Sequence, residues 1–227
     1  MCKSTVRCCP DRGIPEAVVF IHTGRYSQVM AEEAVRTRSK AKTRQRILAA
    51  ARELFYGDGI CATGVSAVAE RAGVTKMTLY AHFPSKEELV TAYLEDNDRS
   101  WRAFLEEKLS GCEGSREGLL AVCDAYREYF TAREMRGCAF VNCAAEFRDP
   151  GHPARRVIAK HKAGVRERLL DLAAEAGARE PAVLAERLFV VLEGAYVTSA
   201  LEGDGGVLYR SRVFFAELVV AAVGDRP

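Results

Sequence analysis

Apolar residues along most of this chain recur at intervals of three and four positions, which is the period of an amphipathic α-helix. In the first such segment, predicted to run from about residue 42 to residue 56, the apolar stripe consists of Ile47, Ala51, Leu54 and Phe55. Similar segments follow to the end of the chain and are separated by glycine and proline. No segment has the strict alternation of a half-buried β-strand. The pattern therefore predicts an all-α protein with about nine helices.

Two very short helices are predicted directly after the first one. Thr63 can cap the first of them, and Gly73 follows it, free to take the left-handed conformation that ends a helix. Thr75 can cap the second, which ends before Pro84. Two short helices joined by a glycine turn form a helix-turn-helix, whose second helix fits the major groove of B-DNA.

The second short helix has one apolar and one polar face. Leu79 and Phe83 are expected to point back to the core. The opposite face then presents Thr75, Lys76, Met77, Thr78 and Tyr80. Hydroxyl and ammonium groups donate hydrogen bonds to phosphates, and a helix N-terminus favours anions.

Positive charge is concentrated around this motif. The whole chain has a formal net charge of +2, but residues 36–86 contain ten Lys or Arg against three Asp or Glu, so the remainder sums to minus five. A basic block joined to an acidic remainder indicates a polyanion-binding part and a part with another task. A basic arm, expected to follow a phosphate strand or the minor groove, is formed by Arg36, Arg38, Lys40 and Lys42.

Residues 43–89 resemble the TetR family of transcriptional regulators. The resemblance rests on the sequence TRQRILAAARELF, on Thr63, on residues 69–74, on the run TLYAHF at residues 78–83, and on the run SKE that begins at Ser85. Beyond residue 89 only the helical pattern and the total length agree with the ligand-binding, dimerising domain of that family.

The resemblance implies a set of DNA-binding residues. They are Thr63, Thr75, Lys76, Met77, Thr78, Tyr80, His82 and Lys86. Thr63 corresponds to a phosphate-binding cap, and residues 75–78 to positions that read bases and adjoining phosphates. Tyr80, His82 and Lys86 correspond to positions that hold the DNA backbone. Relatives often have Gly or Pro where this chain has Met77, whose side chain can lie against a thymine methyl group.

The chain is expected to divide into three parts. Residues 1–36 lack helical periodicity and are expected to be disordered, and Met30 is interpreted as the true start. Residues 37–84 form the helix-turn-helix domain, and residues 85–227 form the helical domain that binds a ligand and dimerises. The chain has eight cysteines without a C-x-x-C pair, no apolar run of about 18 residues and no recognisable export signal, so a cytoplasmic protein is expected.

The second domain is expected to enclose an apolar or aromatic small molecule. Candidate pocket residues are Trp101, Phe104, Tyr126, Phe130, Phe140, Asn142, Phe147 and His161. Apolar walls with a few polar groups are typical of small-molecule pockets, although aromatic residues at helical spacing also form plain core.

A homodimer is expected because helices 8 and 9 are both strongly apolar. The candidate interface residues are Phe189, Leu192, Ala195, Tyr196 and Ser199 on helix 8, with Val213, Phe214, Glu217 and Val220 on helix 9. The alternative is that these residues fill the core of the monomer. Dimers that read two half-sites are the usual form of helix-turn-helix proteins.

The expected function is that of a repressor that leaves a palindromic DNA operator when a small molecule binds. No cofactor, metal, membrane partner or catalytic residue is expected. One alternative is a metal or redox sensor that uses Cys138, Cys143 and His161. Another is an all-helical enzyme, although no phosphate loop, G-x-S-x-G or H-E-x-x-H motif is present. A non-specific architectural DNA protein would carry positive charge more widely.

Overall fold

The computed structural model describes the backbone of residues 16–133, 136–203 and 205–224, and the side chains of these ranges from Met30 onward except residues 32 and 34. The described residues form nine helices and no strand, which confirms the all-α prediction. The helices are α1 (Glu16–Asp58), α2 (Val65–Arg71), α3 (Lys76–His82), α4 (Lys86–Leu109), α5 (Ser115–Thr131), α6 (Ala139–Glu146), α7 (Pro153–Glu175), α8 (Pro181–Glu202) and α9 (Gly206–Val223). None of the helices in these ranges is long and apolar enough to cross a membrane.

Helix α1 begins at Glu16, well before the predicted start near residue 42. Residues 28–45 are rich in Ala, Glu, Gln, Lys and Arg, which favour a helix through backbone propensity even without an apolar face. The disorder predicted for residues 1–36 therefore does not describe residues 16–36, whereas residues 1–15 lie outside the described part. The chain divides after Gln45 into two units, and the hydrophobic clusters and the cavity belong to the second, residues 46–227.

A first hydrophobic cluster joins the C-terminal part of α1 to α2, α3 and the beginning of α4. Ile47, Val68, Leu79, Phe83 and Leu89 are all almost completely buried in it. The cluster also includes residues of α6. The core of the predicted helix-turn-helix domain thus crosses the predicted boundary between residues 84 and 85, and α4 begins inside that core.

A second cluster fills the space between the rest of α4 and helices α5, α7, α8 and α9. Leu119, Phe130, Leu188 and Phe215 are fully buried there, and Trp101 nearly so. Helices α7, α8 and α9 pack in succession, while α5 lies against α4, α7 and α9. Trp101 also lines a cavity to which Phe140 of the first cluster contributes.

Helix α8 buries the face that the sequence reading assigned to a dimer interface. That face consists of Phe189, Leu192, Ala195, Tyr196 and Ser199, each at most 7% exposed within one chain. The other face of the helix exposes Val183, Val190, Val197 and Leu201. The assignment of the first face was wrong because α8 is apolar nearly all round, so that periodicity alone does not tell which side packs inward. On α9, the predicted residues Val213, Phe214, Glu217 and Val220 are exposed.

Candidate nucleic-acid interface and buried cavity

The turn between α2 and α3 is held by local hydrogen bonds and by a side chain of α1. The Val74 amide donates to the Ala69 carbonyl oxygen at 2.9 Å, and Gly73 has φ = +63°. The Arg46 guanidinium donates to the carbonyl oxygens of Ala72 and Gly73. A Cβ atom at position 73 would lie 2.9 Å from Arg46 Nη2. The positive φ at position 73 favours glycine, whereas the close contact is with the end of a flexible side chain, which can move aside.

Thr75 caps helix α3, as predicted. Its Oγ1 accepts a hydrogen bond from the Thr78 amide at 3.1 Å and lies 2.9 Å from the Thr78 hydroxyl oxygen. Leu79 and Phe83 anchor the inner face of the helix, at 0% and 2% exposure. The seven-residue helix is therefore held from behind, and its outer face is free to meet a ligand as large as a duplex.

The outer face of α3 carries the side chains that the sequence predicted. Met77 is 82% exposed and Tyr80 46% exposed, and Lys76 is also exposed. Thr78 and His82 are half-buried, as is Lys86 in the first turn of α4. Apart from Thr63, the predicted DNA-binding residues thus lie on α3 or in the turns that flank it.

Thr63 does not have the predicted position. Its side chain is 5% exposed, and its hydroxyl group donates to the carbonyl oxygens of Gly59 at 2.7 Å and Leu54 at 3.3 Å. The N-cap of α2 is Gly64, without a side-chain cap. The hydroxyl of Thr63 therefore closes the loop after α1 and is not presented to a phosphate. Carbonyl oxygens at the end of a helix lack intrahelical donors, and the hydroxyl of Thr63 bonds to one of them and to the loop carbonyl of Gly59.

A buried cavity lies between the two hydrophobic clusters. Of the predicted pocket residues, Trp101, Tyr126, Phe140 and His161 line it. The further lining residues are Tyr56, Asn97, Tyr129, Arg133, Gly137, Cys138, Ala139, Lys162 and Tyr196. The cavity volume open to the centre of a water molecule is ≈ 30 Å³. One water molecule needs roughly 10–15 Å³ of such volume. In this conformation the cavity has room for about two water molecules.

Four predicted pocket residues lie elsewhere. Phe130 is fully buried and packs edge-on against Tyr196, with the ring centres 4.8 Å apart. Phe104 packs behind Trp101, and Phe147 stacks on His152. The Asn142 side chain donates to the Arg136 carbonyl oxygen at 2.9 Å. Phe104, Phe130 and Asn142 lie on α4, α5 and α6, and Phe147 directly follows α6. The helical period did not specify which of several apolar or amide side chains faces the cavity.

Asn97, Arg133 and Lys162 line the cavity but escaped the sequence analysis, whereas His161 was predicted. Asn97 is 2% exposed; its amide nitrogen donates to the Tyr93 carbonyl oxygen at 3.0 Å, and its oxygen accepts from Arg133 Nη1 at 2.9 Å. The Lys162 ammonium bonds both Glu193 carboxylate oxygens at 2.6 Å. A buried asparagine within the apolar stripe of α4 was the one available signal, since such a group needs partners.

His161 stands at one wall of the cavity with two fixed partners. Its ring stacks on that of Phe140, with centres 3.7 Å apart, and its Nδ1–H donates to Asp98 Oδ1 at 2.8 Å. Burial lowers the pKa of His161 despite the opposing effect of the carboxylate. Burial favours a higher pKa for Asp98, but the hydrogen bonds from His161 and Arg102 outweigh it, so the Asp98 pKa is lowered. The pair therefore rests as neutral imidazole and carboxylate at neutral pH.

The cavity and the helix-turn-helix share structural elements. Tyr56, near the end of α1, lines the cavity, and its hydroxyl donates to the Gly137 carbonyl oxygen at 2.9 Å. Helix α6 begins at the cavity and ends at Glu146, whose carboxylate accepts the amides of Ile60 at 3.0 Å and Cys61 at 2.5 Å. Those two amides belong to the loop between α1 and α2. The cavity wall is thus connected, through Tyr56 on α1 and Glu146 on α6, to the segments that lead into the helix-turn-helix.

Comparison with known proteins supports the same architecture. The family model described as "Bacterial regulatory proteins, tetR family" matches residues 47–93, and a model described as "Tetracyclin repressor-like, C-terminal domain" matches residues 115–215. A TetR transcriptional regulator from Streptomyces avermitilis is 30% identical, with 78% of this chain and 97% of that chain covered and a TM-score of 0.66. The chain belongs to the TetR family.

Other TetR-family proteins match most of this chain in structure or in sequence. A regulator from Streptomyces coelicolor has 27% identity and a TM-score of 0.77, over 81% of this chain and 97% of that chain. The HTH-type transcriptional regulator YjdC of Escherichia coli is 28% identical over 154 residues, which are 66% of this chain and 80% of that protein. TetR-family proteins are DNA-binding transcriptional regulators that bind small-molecule effectors and act as dimers, and they are not enzymes. The enzyme alternative is thereby set aside.

The metal-site alternative finds no support in the packing of this TetR-family chain. Within the described ranges, no three His, Cys, Asp or Glu side chains converge as a metal site would require. Cys143 is fully buried, His161 Nδ1 donates to Asp98 Oδ1 at 2.8 Å, and the Lys162 ammonium lies 3.6 Å from Cys138 Sγ. Two of the three candidate ligands thus have polar partners of their own.

Proposed function

We propose that this chain is a transcriptional repressor that binds a palindromic operator as a homodimer and leaves the operator when a small molecule enters the cavity. The observation that carries the proposal is the sharing of elements between cavity and helix-turn-helix, through Tyr56 on α1 and Glu146 on α6. A ligand that displaces either group acts on the DNA-binding unit without a long chain of intermediates.

The operator is read by the outer face of α3. Met77 and Lys76 stand at the beginning of that helix, where major-groove helices make base contacts. Tyr80 and Lys86 lie to the side and suit phosphate oxygens. Thr75 is engaged as the cap of α3, so its contribution to DNA binding is to hold the helix N-terminus in position.

The dimer forms through the exposed faces of α8 and α9. Val190 is 60% exposed and lies about two helical turns from both Val183 and Val197, so the three share one side of α8. On α9, Val213 and Phe214 are 58% and 61% exposed. Large apolar side chains clustered on two adjacent helices mark an interaction surface. The dimer places two α3 helices at a fixed separation, which a palindromic site with two half-sites matches.

Release follows if the effector binds more tightly to a conformation with a different separation of the α3 helices. The cavity holds only about two water molecules, so an organic effector has to push its walls apart. Among these walls, α4 begins beside α3, and α6 is bonded to the loop before α2. Expansion of the cavity thus favours a change in the position of the helix-turn-helix.

The proposal is tested by selecting bound DNA from a random duplex library at two salt concentrations. The expected result is a palindromic consensus that is retained at the higher salt. Binding without a consensus and with a steep loss in salt would indicate a non-specific DNA protein. A consensus with a single half-site would contradict the dimer, while operator affinity that stays constant under a saturating cavity ligand would contradict the release mechanism.

A further inference from the structure

The cavity holds two cationic side chains whose situations differ. Lys162 is neutralised by Glu193, to which it makes two bonds of 2.6 Å. Arg133 donates to the neutral amide oxygen of Asn97 at 2.9 Å, and its guanidinium lies over the ring of Tyr129, 3.9 Å from the ring centre. Among the described residues, no carboxylate lies within ion-pair distance of Arg133. After Lys162 and Glu193 cancel, one positive charge is left at the cavity wall.

The charge of Arg133 acts on the aromatic hydroxyl groups around it. Burial raises the pKa of Tyr56 to about 12, and Arg133 is the strongest influence in the opposite direction. Burial likewise raises the pKa of Tyr129, again with Arg133 as the main opposing influence. The partly buried guanidinium of Arg133 lines the cavity together with these aromatic rings. In a partly desolvated site an uncompensated charge favours an anionic partner more strongly than it would in water.

The phenol hydroxyl group of Tyr129 also lies near this charge. The hydroxyl oxygen of Tyr129 is buried, and within the described part of the chain Arg133 is the one group close enough to act on it as a donor, with no contact of ordinary hydrogen-bond geometry. The phenol O–H itself is left without an acceptor there, although buried polar groups are nearly always paired. Tyr129 lines the cavity, and its ring is the one beneath Arg133. A planar guanidinium and a phenol O–H at the same place can both donate to one carboxylate.

The rest of the wall is suited to a flat apolar body. Trp101 packs edge-on against Tyr126 and Tyr129, with ring centres 4.7 Å and 5.0 Å apart, and Phe140 closes another side. Such aromatic walls bury apolar surface and offer both ring faces and ring edges. The same cavity thus combines an aromatic enclosure with a single uncompensated cation.

We infer that the effector is an organic anion, an aromatic carboxylate, whose carboxylate is bound by Arg133 and Tyr129 and whose ring lies against Trp101 and Phe140. This inference rests on the proposed function, since it specifies the chemical class of the ligand of that cavity. A cationic effector is disfavoured because it would meet Arg133 directly, and a neutral one would leave that charge uncompensated.

The test uses a panel of aromatic carboxylates: benzoate, phenylacetate, cinnamate and 2-naphthoate, each with its primary amide and the corresponding ammonium compound. Binding is measured by calorimetry on the full-length protein without DNA. At least one acid is expected to bind ten-fold or more tightly than its amide, and every ammonium compound more weakly still. If no acid binds better than its amide, or if an ammonium compound binds best, the inference is overturned.

Substitution of Arg133 identifies the group responsible. Arg133→Gln is expected to weaken the best acid at least ten-fold while its amide changes less than two-fold, and Arg133→Lys to retain part of the affinity. Arg127→Gln, a matched change on α5 whose charge pairs with Asp124 outside the cavity, should leave both ligands unaffected. Equal weakening of acid and amide, or no weakening of either, would contradict a role of Arg133 as the counter-ion.

These measurements are separate from the DNA experiment. An acid that binds through Arg133 but does not change operator affinity would support the anion site and contradict the proposed release mechanism. A protein that reads a palindromic operator but prefers amides would support the regulator and contradict the anion site. The thermal unfolding midpoint of each variant, measured without ligand, verifies that a loss of binding is not a loss of fold.

Discussion

The Glu146 carboxylate is the most direct contact between the cavity helix α6 and the loop that leads into the helix-turn-helix. It accepts two backbone amides, from Ile60 at 3.0 Å and from Cys61 at 2.5 Å. Hydrogen bonds to a charged group contribute about 1.5–3 kcal/mol each, and the Cys61 end is exposed, so screening by solvent reduces its share. We take about 2–3 kcal/mol for the contact as a whole, which is similar to a typical allosteric coupling of about 1–3 kcal/mol.

Replacement of Glu146 by alanine should therefore disconnect the two sites and leave each of them intact. The assay is the fluorescence anisotropy of a labelled operator with and without a saturating amount of the tightest-binding carboxylate, whose own affinity is measured by calorimetry. Typical couplings change affinity about 5- to 150-fold, and in Glu146→Ala the change should fall to within about threefold, the part left when most of that free energy is lost. The affinity of the carboxylate for free protein should stay close to that of the wild type.

A second carboxylate in the chain provides the matched control. Glu117 Oε2 accepts the Glu113 amide at 2.8 Å, a bond of the same kind in the loop before α5. Glu117→Ala should preserve the full effect of the ligand on operator binding. A folded Glu146→Ala protein that responds as strongly as the wild type would refute the role of this contact, and equal losses in both variants would point to a general effect of destabilisation.

Three other predictions concern separate parts of the molecule. Lys86→Ala should reduce the slope of log K against log salt for operator binding by about one unit, because one phosphate contact is lost. The control Lys160→Ala, at an exposed position on α7, should not change the slope. Equal slopes in wild type and Lys86→Ala would remove Lys86 from the phosphate contacts. Val190→Arg should convert the dimer to monomers in sedimentation equilibrium. The control Leu170→Arg on α7, where the side chain is 39% exposed, should leave the dimer unchanged. A dimer that persists in Val190→Arg would exclude this face of α8 from the interface. The pKa of His161 is lowered in the folded state, so the unfolded chain binds more protons than the folded one once the pH falls below about 6.5. Stability should therefore decrease on acidification in that range. His161→Gln should show a smaller drop in thermal unfolding midpoint between pH 7.5 and 5.5, and an equal drop would show that another group is responsible.

Local features of the site were predictable because their determinants lie within a few residues of one another. The cap at Thr75, the left-handed turn at Gly73 and the inward positions of Leu79 and Phe83 all follow from backbone preferences and helical period. The opposite face of α3 is then the outward one, and Lys76, Met77 and Tyr80 are exposed on it as predicted. Their contact with DNA stays a prediction. Thr63 was the exception, because its hydroxyl group bonds the Gly59 carbonyl oxygen and no local rule ranks that partner against the adjacent amides.

Features that depend on which helices meet were not predictable in the same way. Arg133 follows the end of α5 and looks like an ordinary surface cation in the sequence, yet it lies beside Asn97, thirty-six positions earlier. The pairing of Lys162 with Glu193 spans 31 positions, and that of Glu146 with the Ile60 amide of the α1–α2 loop spans 86. Periodicity identifies the apolar faces of helices but contains no information about their partners.

The all-helical class, the helix-turn-helix and the outward face of α3 could be predicted, because helix propensity, capping and period act over one or two turns. The buried face of α8 and the side chains that enclose the cavity depend on how the helices pack together. A helix that is apolar on several sides has more than one way to bury its surface, and the choice depends on the summed packing of all neighbouring helices. The positive charge at Arg133 acquired its significance in the same way, from the neighbours that surround it and from the absence of a carboxylate among those described.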